Sequence, residues 1–310
     1  MELRQLRSLI ALADEGNFTR AAEKVFITQS ALSQQIQALE QEIGTPLVDR
    51  SKRGVQLTAA GEILCRHGRR SLHEMAQARI AIGELSDLKR GTLLVGAVQT
   101  VNHYLMPSII AAFATQYPDI VLRVEELAAD AIEQQLEEGD LQVGVSFTPP
   151  SDAMLAAETL FEEQLMLVVR ADHPLARQAS VNVSALHAMP MVMLTHTFCT
   201  RRLWEASARL ASAQPKVVLE LNTVSGILAA VAKTGLPTVL PALTLQAADN
   251  NQLVGVALCH PTPARQVGLL WRRDGYVCAA SRAFMALAHT TVQASLETGV
   301  WQRAALPEGA

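Results

Sequence analysis

Between Phe18 and Arg53 the chain carries short polar side chains whose spacing could read the edges of base pairs. Ala21, Ala22 and Val25 fall at helical spacing and predict one short helix. Thr28 can cap the next, because its hydroxyl oxygen accepts orphan backbone N–H groups. That second helix would bury Ala31, Leu32, Ile36 and Leu39, leaving Gln29, Ser30, Ser33, Gln34 and Gln37 outward or at its exposed start. An uncharged polar face of this kind suits the major groove, where Gln bonds both edge groups of adenine and Ser bonds either base type. A helical hairpin that only packs would leave the basic turn Arg50-Ser51-Lys52-Arg53-Gly54 unexplained. The expected DNA contacts are therefore Thr28, Gln29, Ser30, Ser33, Gln34 and Gln37, with Arg50, Lys52 and Arg53 on phosphate or in the minor groove.

A second polar set lies at strand ends further along. Ligands of open α/β sheets bind beyond the C-terminal ends of strands, where helix N-termini aim N–H groups at the guest. Gln99, Thr100, Val101 and Asn102 follow a first strand, and Thr148 and Pro149 follow a third. Thr195, His196, Thr197, Phe198, Cys199 and Thr200 follow Met191–Leu194, with Arg201 at a helix start. Asn222, Thr223, Val224 and Ser225 follow Val217–Leu221. The expected effector residues are Thr100, Val101, Asn102, Thr148, Thr195, His196, Thr197, Cys199, Thr200, Asn222 and Thr223. Hydroxyls and amides dominate, with His196 and Arg201 as charged partners, which suits a small anionic or polar molecule. Each Thr or Asn could equally be a plain helix cap; the convergence of four loops points to a site. The alternative effector class is thiol-based redox sensing through Cys199, which falls in a polar segment expected to be exposed.

Motifs for catalysis are missing. The chain has no nucleophile elbow, no HExxH, no P-loop and no GxGxxG after a strand. His103, His173 and His196 fall on different loops without paired carboxylates at metal spacing, so no enzyme, metal site or cofactor is expected. An enzyme fused to a DNA-binding head is the competing reading, and a turnover assay set against a ligand-binding assay separates the two. A transport solute-binding protein is disfavoured, since Met1 leads straight into an amphipathic helix with Arg4 and Arg7 rather than a signal peptide. No run approaches the ~18 apolar residues of a membrane span. Cys65, Cys199, Cys259 and Cys278 form no CxxC pair or Cys/His cluster and read as reduced thiols. A cytoplasmic location without a membrane partner follows.

The elements that position these residues are legible in outline. Leu3, Leu6, Leu9, Ile10 and Ala13 predict a first helix closed by Gly16. Thr58 and Glu62 open a helix that runs without Pro to about Leu88 and carries Leu64, Leu72, Met75, Ile82 and Leu85. Thirty residues make a rod of roughly 45 Å. A solvated connector and a dimer coiled coil both fit it; the thin, long apolar stripe favours the coiled coil. Lys89-Arg90-Gly91 ends it.

From Thr92 strands and helices alternate, which predicts a parallel sheet with helices on both faces. Strands are expected at Leu93–Val98, Ile120–Val124, Leu141–Phe147, Leu165–Val169, Met191–Leu194, Val217–Leu221, Pro237–Leu240 and Val267–Trp271. Helices are expected at Leu105–Tyr117, Ala131–Glu138 and about Ala279–Leu296, and the tail after Trp301 is expected to be disordered.

With 310 residues, 49% hydrophobic and 18% charged, the chain can bury more than one core. Its net charge of −4 is uneven: 13 Lys or Arg stand against 11 Asp or Glu up to Arg90, and 13 against 19 beyond it. An acidic body behind a mildly basic head suits a DNA binder whose effector domain should avoid phosphate.

The N-terminal segment resembles the winged helix-turn-helix of LysR-type transcriptional regulators. Their core pattern stands here as Phe18-Thr19, Ala21-Ala22, Gln29, Ala31-Leu32-Ser33, Gln35-Ile36 and Leu39-Glu40, followed by Gly44, Pro46-Leu47, Arg50, Leu57-Thr58 and Gly61. Val48 replaces the usual Phe and Ser30 the common Pro. Weaker landmarks follow: Phe113 with Tyr117-Pro118, Leu136 to Asp140 before Val143-Gly144-Val145, Asp172-His173-Pro174-Leu175, and Gly235-Leu236-Pro237 with Leu240-Pro241. The four sensing loops are most similar to the branch containing the cyanate-responsive regulator, through Thr200-Arg201 and the Asn222 loop.

The resemblance implies an α+β multidomain chain: an N-terminal winged helix-turn-helix (1–58), a long linker and dimerisation helix (59–90), and a C-terminal two-lobed α/β effector domain like a periplasmic binding protein (91–300). Lobe I would take 92–162 and 267–300, and lobe II 163–266. It also implies double-stranded DNA with a dyad operator, a small-molecule effector, a homodimer or homotetramer, and RNA polymerase as partners.

Overall fold

The computed structural model describes residues 1–49, 55–84, 91–247 and 252–297. Arg50, Lys52, Arg53, Leu85, Lys89, Arg90 and the tail after Trp301 lie outside them. One compact unit spans residues 1–88 with Glu137–Asp140, and the other takes the rest of the chain.

The first unit opens with α1 (Leu3–Glu15), which Gly16 ends in the left-handed region at φ 58°. Next come α2 (Phe18–Lys24), α3 (Gln29–Ile43), the two-residue strands β1 (Val48–Asp49) and β2 (Gln56–Leu57), and α4 (Ala59–Glu84). Strands β1 and β2 pair antiparallel as the base of a wing. Leu9, Leu12, Ala21, Ala22, Leu32, Ile36, Leu39, Leu47, Val48 and Cys65 form a single core. The small Val48 is buried there. Thr58 Oγ1 accepts Gly61 N–H at 3.1 Å and so caps α4.

The second unit runs β3 (Gly91–Val98), α5 (Gln99–Tyr104), α6 (Met106–Gln116), β4 (Ile120–Leu127), α7 (Ala129–Glu138), β5 (Val143–Thr148), β6 (Leu155–Arg170), β7 (Ser180–Asn182) and β8 (Pro190–Leu194). It continues with α8 (Cys199–Leu210), β9 (Lys216–Leu221), α9 (Val224–Thr234), β10 (Thr238–Pro241), α10 (Ala242–Ala247), β11 (Leu253–Cys259), β12 (Ala264–Arg272) and α11 (Ala279–Glu297). The sheet order is β4-β3-β5-β12-β6-β11-β7, with β10 also on β6 and β8 paired to β9.

This sheet is mixed, which corrects the all-parallel expectation. Strand β3 pairs parallel with β4 and β5, and β11 with β7, while β8 and β9 form a separate parallel pair. Strands β12, β6, β10 and β11 pair antiparallel. The cause is β6, a 16-residue strand of which only the apolar end, Leu165–Val169, stands out in the sequence. Its first half pairs with β12 as far as Gln164, and its second half pairs with β10 and β11 from Leu165 onward. A strand that leaves one lobe for the other must meet its returning partner antiparallel.

Each lobe has its own core. In the first, Leu93, Val95, Val143, Val145 and Leu269 pack on Ile109, Phe113, Phe284 and Ala288 of α6 and α11. In the second, alternate residues of β8 face opposite ways. Met191 and Met193 join Trp204 of α8, while Val192 and Leu194 join Ile227 and Val231 of α9. That period of two is the pattern of a strand covered on both faces.

Candidate functional site

The geometry of the helix-turn-helix follows from two caps and one strained turn. Asn17 Oδ1 accepts from Thr19 and Arg20 N–H at 2.8 and 3.2 Å and starts α2. Thr28 Oγ1 accepts from Ala31 N–H at 3.2 Å and starts α3. Leu32, Ile36 and Leu39 pin α3 to the core, which leaves Thr28, Gln29, Ser30, Gln34 and Gln37 exposed and Ser33 half-buried. Between the helices Phe26 adopts φ 59° and is 94% exposed. No Gly or Asn occupies that turn, so sequence reasoning missed its left-handed residue. The wing residues Arg50, Lys52 and Arg53 lie outside the described structure.

Within the second unit, Thr100 on α5 and Thr200 on α8 come from opposite lobes and meet on one guanidinium. Arg265 Nη2 donates to Thr100 Oγ1 at 2.8 Å and Nη1 donates to Thr200 Oγ1 at 2.6 Å. Its Nε donates to Glu163 Oε1 at 2.7 Å, and its Cζ lies 4.3 Å from the centre of the Phe147 ring. Tyr104 donates to Glu163 Oε2 at 2.9 Å. Burial and the adjacent Glu163 carboxylate hold the Tyr104 phenol well above its usual range. Thr100, Thr200 and Glu163 are buried, and the Arg265 side chain is only 7% exposed. A second bridge joins the lobes where Gln99 Nε2 donates to the Asn222 carbonyl at 2.6 Å, leaving buried Gln99 Oε1 without a partner among the described residues. Arg202 on α8 makes a third, reaching the Asp130 carboxylate at 3.2 Å.

Several expected residues are engaged with other partners. The Val101 side chain is wholly buried in the first-lobe core, because the segment expected as a loop is helix α5; only its main chain could meet a guest. Asn102 Nδ2 turns to Glu126 at 2.9 Å. Thr148 pairs with Thr159 at 2.9 Å, and Thr195 with Thr197 at 2.9 Å. Thr223 caps α9 through Gly226 N–H. His196 sits beside Glu205 at 3.4 Å and Glu220 at 3.8 Å. Arg201 is buried inside lobe two on the Leu194 carbonyl, Glu205 and Glu220 at 2.9, 2.7 and 3.2 Å. Its donors are consumed by its own lobe. Cys199 is half-buried, with Arg202 Nη2 2.8 Å from its sulfur.

Among the described residues no cluster of His, Cys, Asp and Glu is arranged to hold a metal ion, and no helix is long and apolar enough to cross a membrane.

Two family models match this chain. The bacterial regulatory helix-turn-helix protein model of the lysR family covers residues 3–62, and the LysR substrate binding domain model covers residues 86–293. A probable RuBisCO transcriptional regulator of Trichormus variabilis is 29% identical over 91% of this chain and 86% of its own length. One from Cyanidioschyzon merolae is 32% identical over 74% of this chain and 78% of its own length. The regulator AlsR of Bacillus subtilis is 32% identical over 62% of this chain and 64% of its own length. Among solved structures, full-length OxyR from Pseudomonas aeruginosa superposes with a TM-score of 0.73 at 25% identity, covering 94% of this chain and 95% of that one. CbnR bound to its target DNA superposes with a TM-score of 0.65 at 21% identity, covering 94% and 100%. With a helix-turn-helix head and a two-lobed α/β body both matched, the chain belongs to the LysR family of DNA-binding transcriptional regulators.

Proposed function

We propose that a small anionic or polar molecule binds between the two lobes of the second unit and sets how this regulator acts at its operator. The observation that carries this reading is the polarity of Thr100 and Thr200. Arginine has no acceptor atom, so both hydroxyls accept from Arg265 and keep their own hydrogens to donate. No acceptor among the described residues takes either hydrogen. Two buried O–H donors, one from each lobe and both held on the Arg265 guanidinium, suit a ligand rich in acceptors. Likeness of the loops to the cyanate-responsive branch makes cyanate the first probe. Calorimetric titration of the full-length protein with sodium cyanate, acetate and bicarbonate, paired with operator footprinting, tests the reading. Binding that Thr100→Val abolishes while basal operator binding stays within a few-fold supports it. Unchanged affinity in that variant removes the cleft as the sensing site.

At the other end, we infer that Gln29, Ser33 and Gln34 read bases, Thr28, Ser30 and Gln37 border the same groove, and Arg50, Lys52 and Arg53 neutralise phosphate. Gln29→Ala or Gln34→Ala should cost roughly 1–3 kcal/mol on the cognate site and little on random DNA. Lys52→Ala should weaken both and lower the salt slope by about one. Equal losses on the two DNAs for the Gln variants remove the base-reading role. The working division is 1–58 for the head, 59–90 for the dimer helix and 91–300 for the sensor. A homodimer or homotetramer on a dyad operator in the cytoplasm follows, with RNA polymerase as a further partner.

A second reading has its own observation. Arg202 Nη2 lies 2.8 Å from the sulfur of half-buried Cys199; peroxide would transfer one oxygen to that thiolate and leave as water, and the guanidinium would pair with the resulting sulfenate oxygen. Mass spectrometry after dimedone trapping decides it: labelling confined to Cys199, with altered footprints, would favour redox sensing over ligand binding.

A further inference from the structure

The crossing between the lobes is built from two strands that run side by side, and it carries a buried pair of opposite charges. Glu163 lies on β6 just before that strand changes partners, and Arg265 lies opposite it in register on β12. Leu165 N–H donates to the Pro263 carbonyl at 2.8 Å where the chain returns, so both residues stand at the crossing itself. Buried charges are tolerated when paired and fully hydrogen-bonded. Glu163 meets this requirement through Tyr104 and Arg265. Its partner has donors to spare, and it spends them on Thr100 in one lobe and Thr200 in the other.

We propose that Arg265 is the positioning residue of the interlobe cleft: anchored at the crossing by Glu163, it ties α5 to α8 and fixes the separation of Thr100 and Thr200. Arginine suits this role because its planar fork presents several N–H groups in fixed directions, whereas lysine is a single point on a flexible stem. The tie holds the lobes without a guest. A ligand that bonds the same two hydroxyls therefore meets them already oriented, and one that needs the lobes further apart must break these two charge-assisted hydrogen bonds in addition to the Gln99–Asn222 and Arg202–Asp130 bridges. The inference rests on the reading of this cleft as the sensing site, and its test uses no ligand.

Hydrogen exchange of full-length protein, followed by mass spectrometry, measures the tie directly. Arg265→Lys keeps a positive charge beside Glu163 but lacks the fork. Peptides covering α5 and the first turns of α8 should exchange at least tenfold faster than in wild type, while the thermal midpoint and the protection of β3 and β8 stay close to wild type. A residue of merely structural importance would move all of these together. Thr100→Val with Thr200→Val leaves the Glu163–Arg265 pair intact, removes only the acceptors, and should reproduce the same local acceleration. It decides the matter if Arg265→Lys does not fold. Wild-type exchange at α5 and α8 in the double variant overturns the tie, as does a uniform acceleration across both lobes. Anion titration of wild type stands apart. Failure of cyanate, acetate and bicarbonate alike to bind, with the exchange result intact, defeats the sensing reading alone, and binding of any of them without an exchange change defeats the tie alone.

Discussion

Gln99 Nε2 donates to the main-chain carbonyl of Asn222 at 2.6 Å, so the start of α5 in one lobe is bonded to the loop before α9 in the other. The acceptor is backbone. The identity of residue 222 is therefore irrelevant to this bond, whereas the amide of Gln99 is essential to it.

Opposite consequences follow for the two positions. Asn222→Ala should leave lobe stability within about 0.5 kcal/mol, as for a surface change away from special features. Gln99→Leu loses one bond of about 1 kcal/mol net, but also removes the buried unpaired Oε1, so its net cost should stay below about 1 kcal/mol. Urea unfolding read through buried Trp204 and the partly buried Trp271 of β12 measures both. A larger cost at Asn222 than at Gln99 would mean that the side chain, not the carbonyl, carries the contact.

Two positions in the head should respond against ordinary expectation. Replacing an interior helical Gly by Ala normally stabilises by about 1 kcal/mol. At Gly61 a Cβ would overlap the Leu47 carbonyl oxygen, a backbone atom that does not yield easily. Gly61→Ala should therefore destabilise the head by several kcal/mol. Phe26→Asn should do the reverse and stabilise by about 1 kcal/mol, because Asn tolerates the φ of 59° and an exposed aromatic ring is removed. Thermal melts of the two full-length variants check the signs. Should Phe26→Asn also lose operator affinity, the ring touches DNA.

The helix-turn-helix was legible because its information is local. Thr28 caps the helix that begins one residue later, and Leu32, Ile36 and Leu39 fix which polar residues remain exposed. The cleft was legible only in part. The places of Thr100 and Thr200 after strands point to the two hydroxyls that meet on Arg265, whereas the Val101 side chain turns inward because α5 starts at Gln99, directly after β3. The sequence points to Arg201 and not to Arg265 for the same kind of reason. A residue at a helix start is visible to a local rule, but Glu163 and Arg265 are 102 positions apart and meet only through the register of β6 with β12. That register was hidden because the first half of β6, Ala156 to Glu163, mixes Glu and Thr among its apolar residues.

Alkaline pH should weaken the head through Cys65. Burial raises this thiol from 9.0 to about 11, with nearby Arg69 opposing the shift. The folded state holds its proton to higher pH than the unfolded state does. The stabilisation is thus complete below about pH 9 and is lost as pH rises through about 11. Unfolding measured at pH 8 and at pH 10.5 should show a loss for wild type that shrinks in Cys65→Ala. Iodoacetamide at pH 8 should correspondingly label half-buried Cys199 well before buried Cys65. Parallel pH curves for the two proteins would assign the alkaline loss to other groups.

Helix α4 leaves apolar side chains uncovered within one protomer: Met75 is 48% and Ile82 66% exposed. They are seven residues apart, and Leu72 precedes Met75 by three, which is the a-to-d spacing of a coiled-coil seam. In a monomer a charge at position 82 would remain in water at no great cost. In a dimer packed on this stripe it would become an unpaired buried carboxylate, which is expensive. Ile82→Glu should therefore raise the dimer dissociation constant by at least tenfold and leave the helix content of the monomer unchanged. Sedimentation velocity across a dilution series, together with the length of the protected operator, reads the outcome. A variant that remains dimeric at nanomolar concentration, with a full-length footprint, would mean that this face of α4 is not the seam.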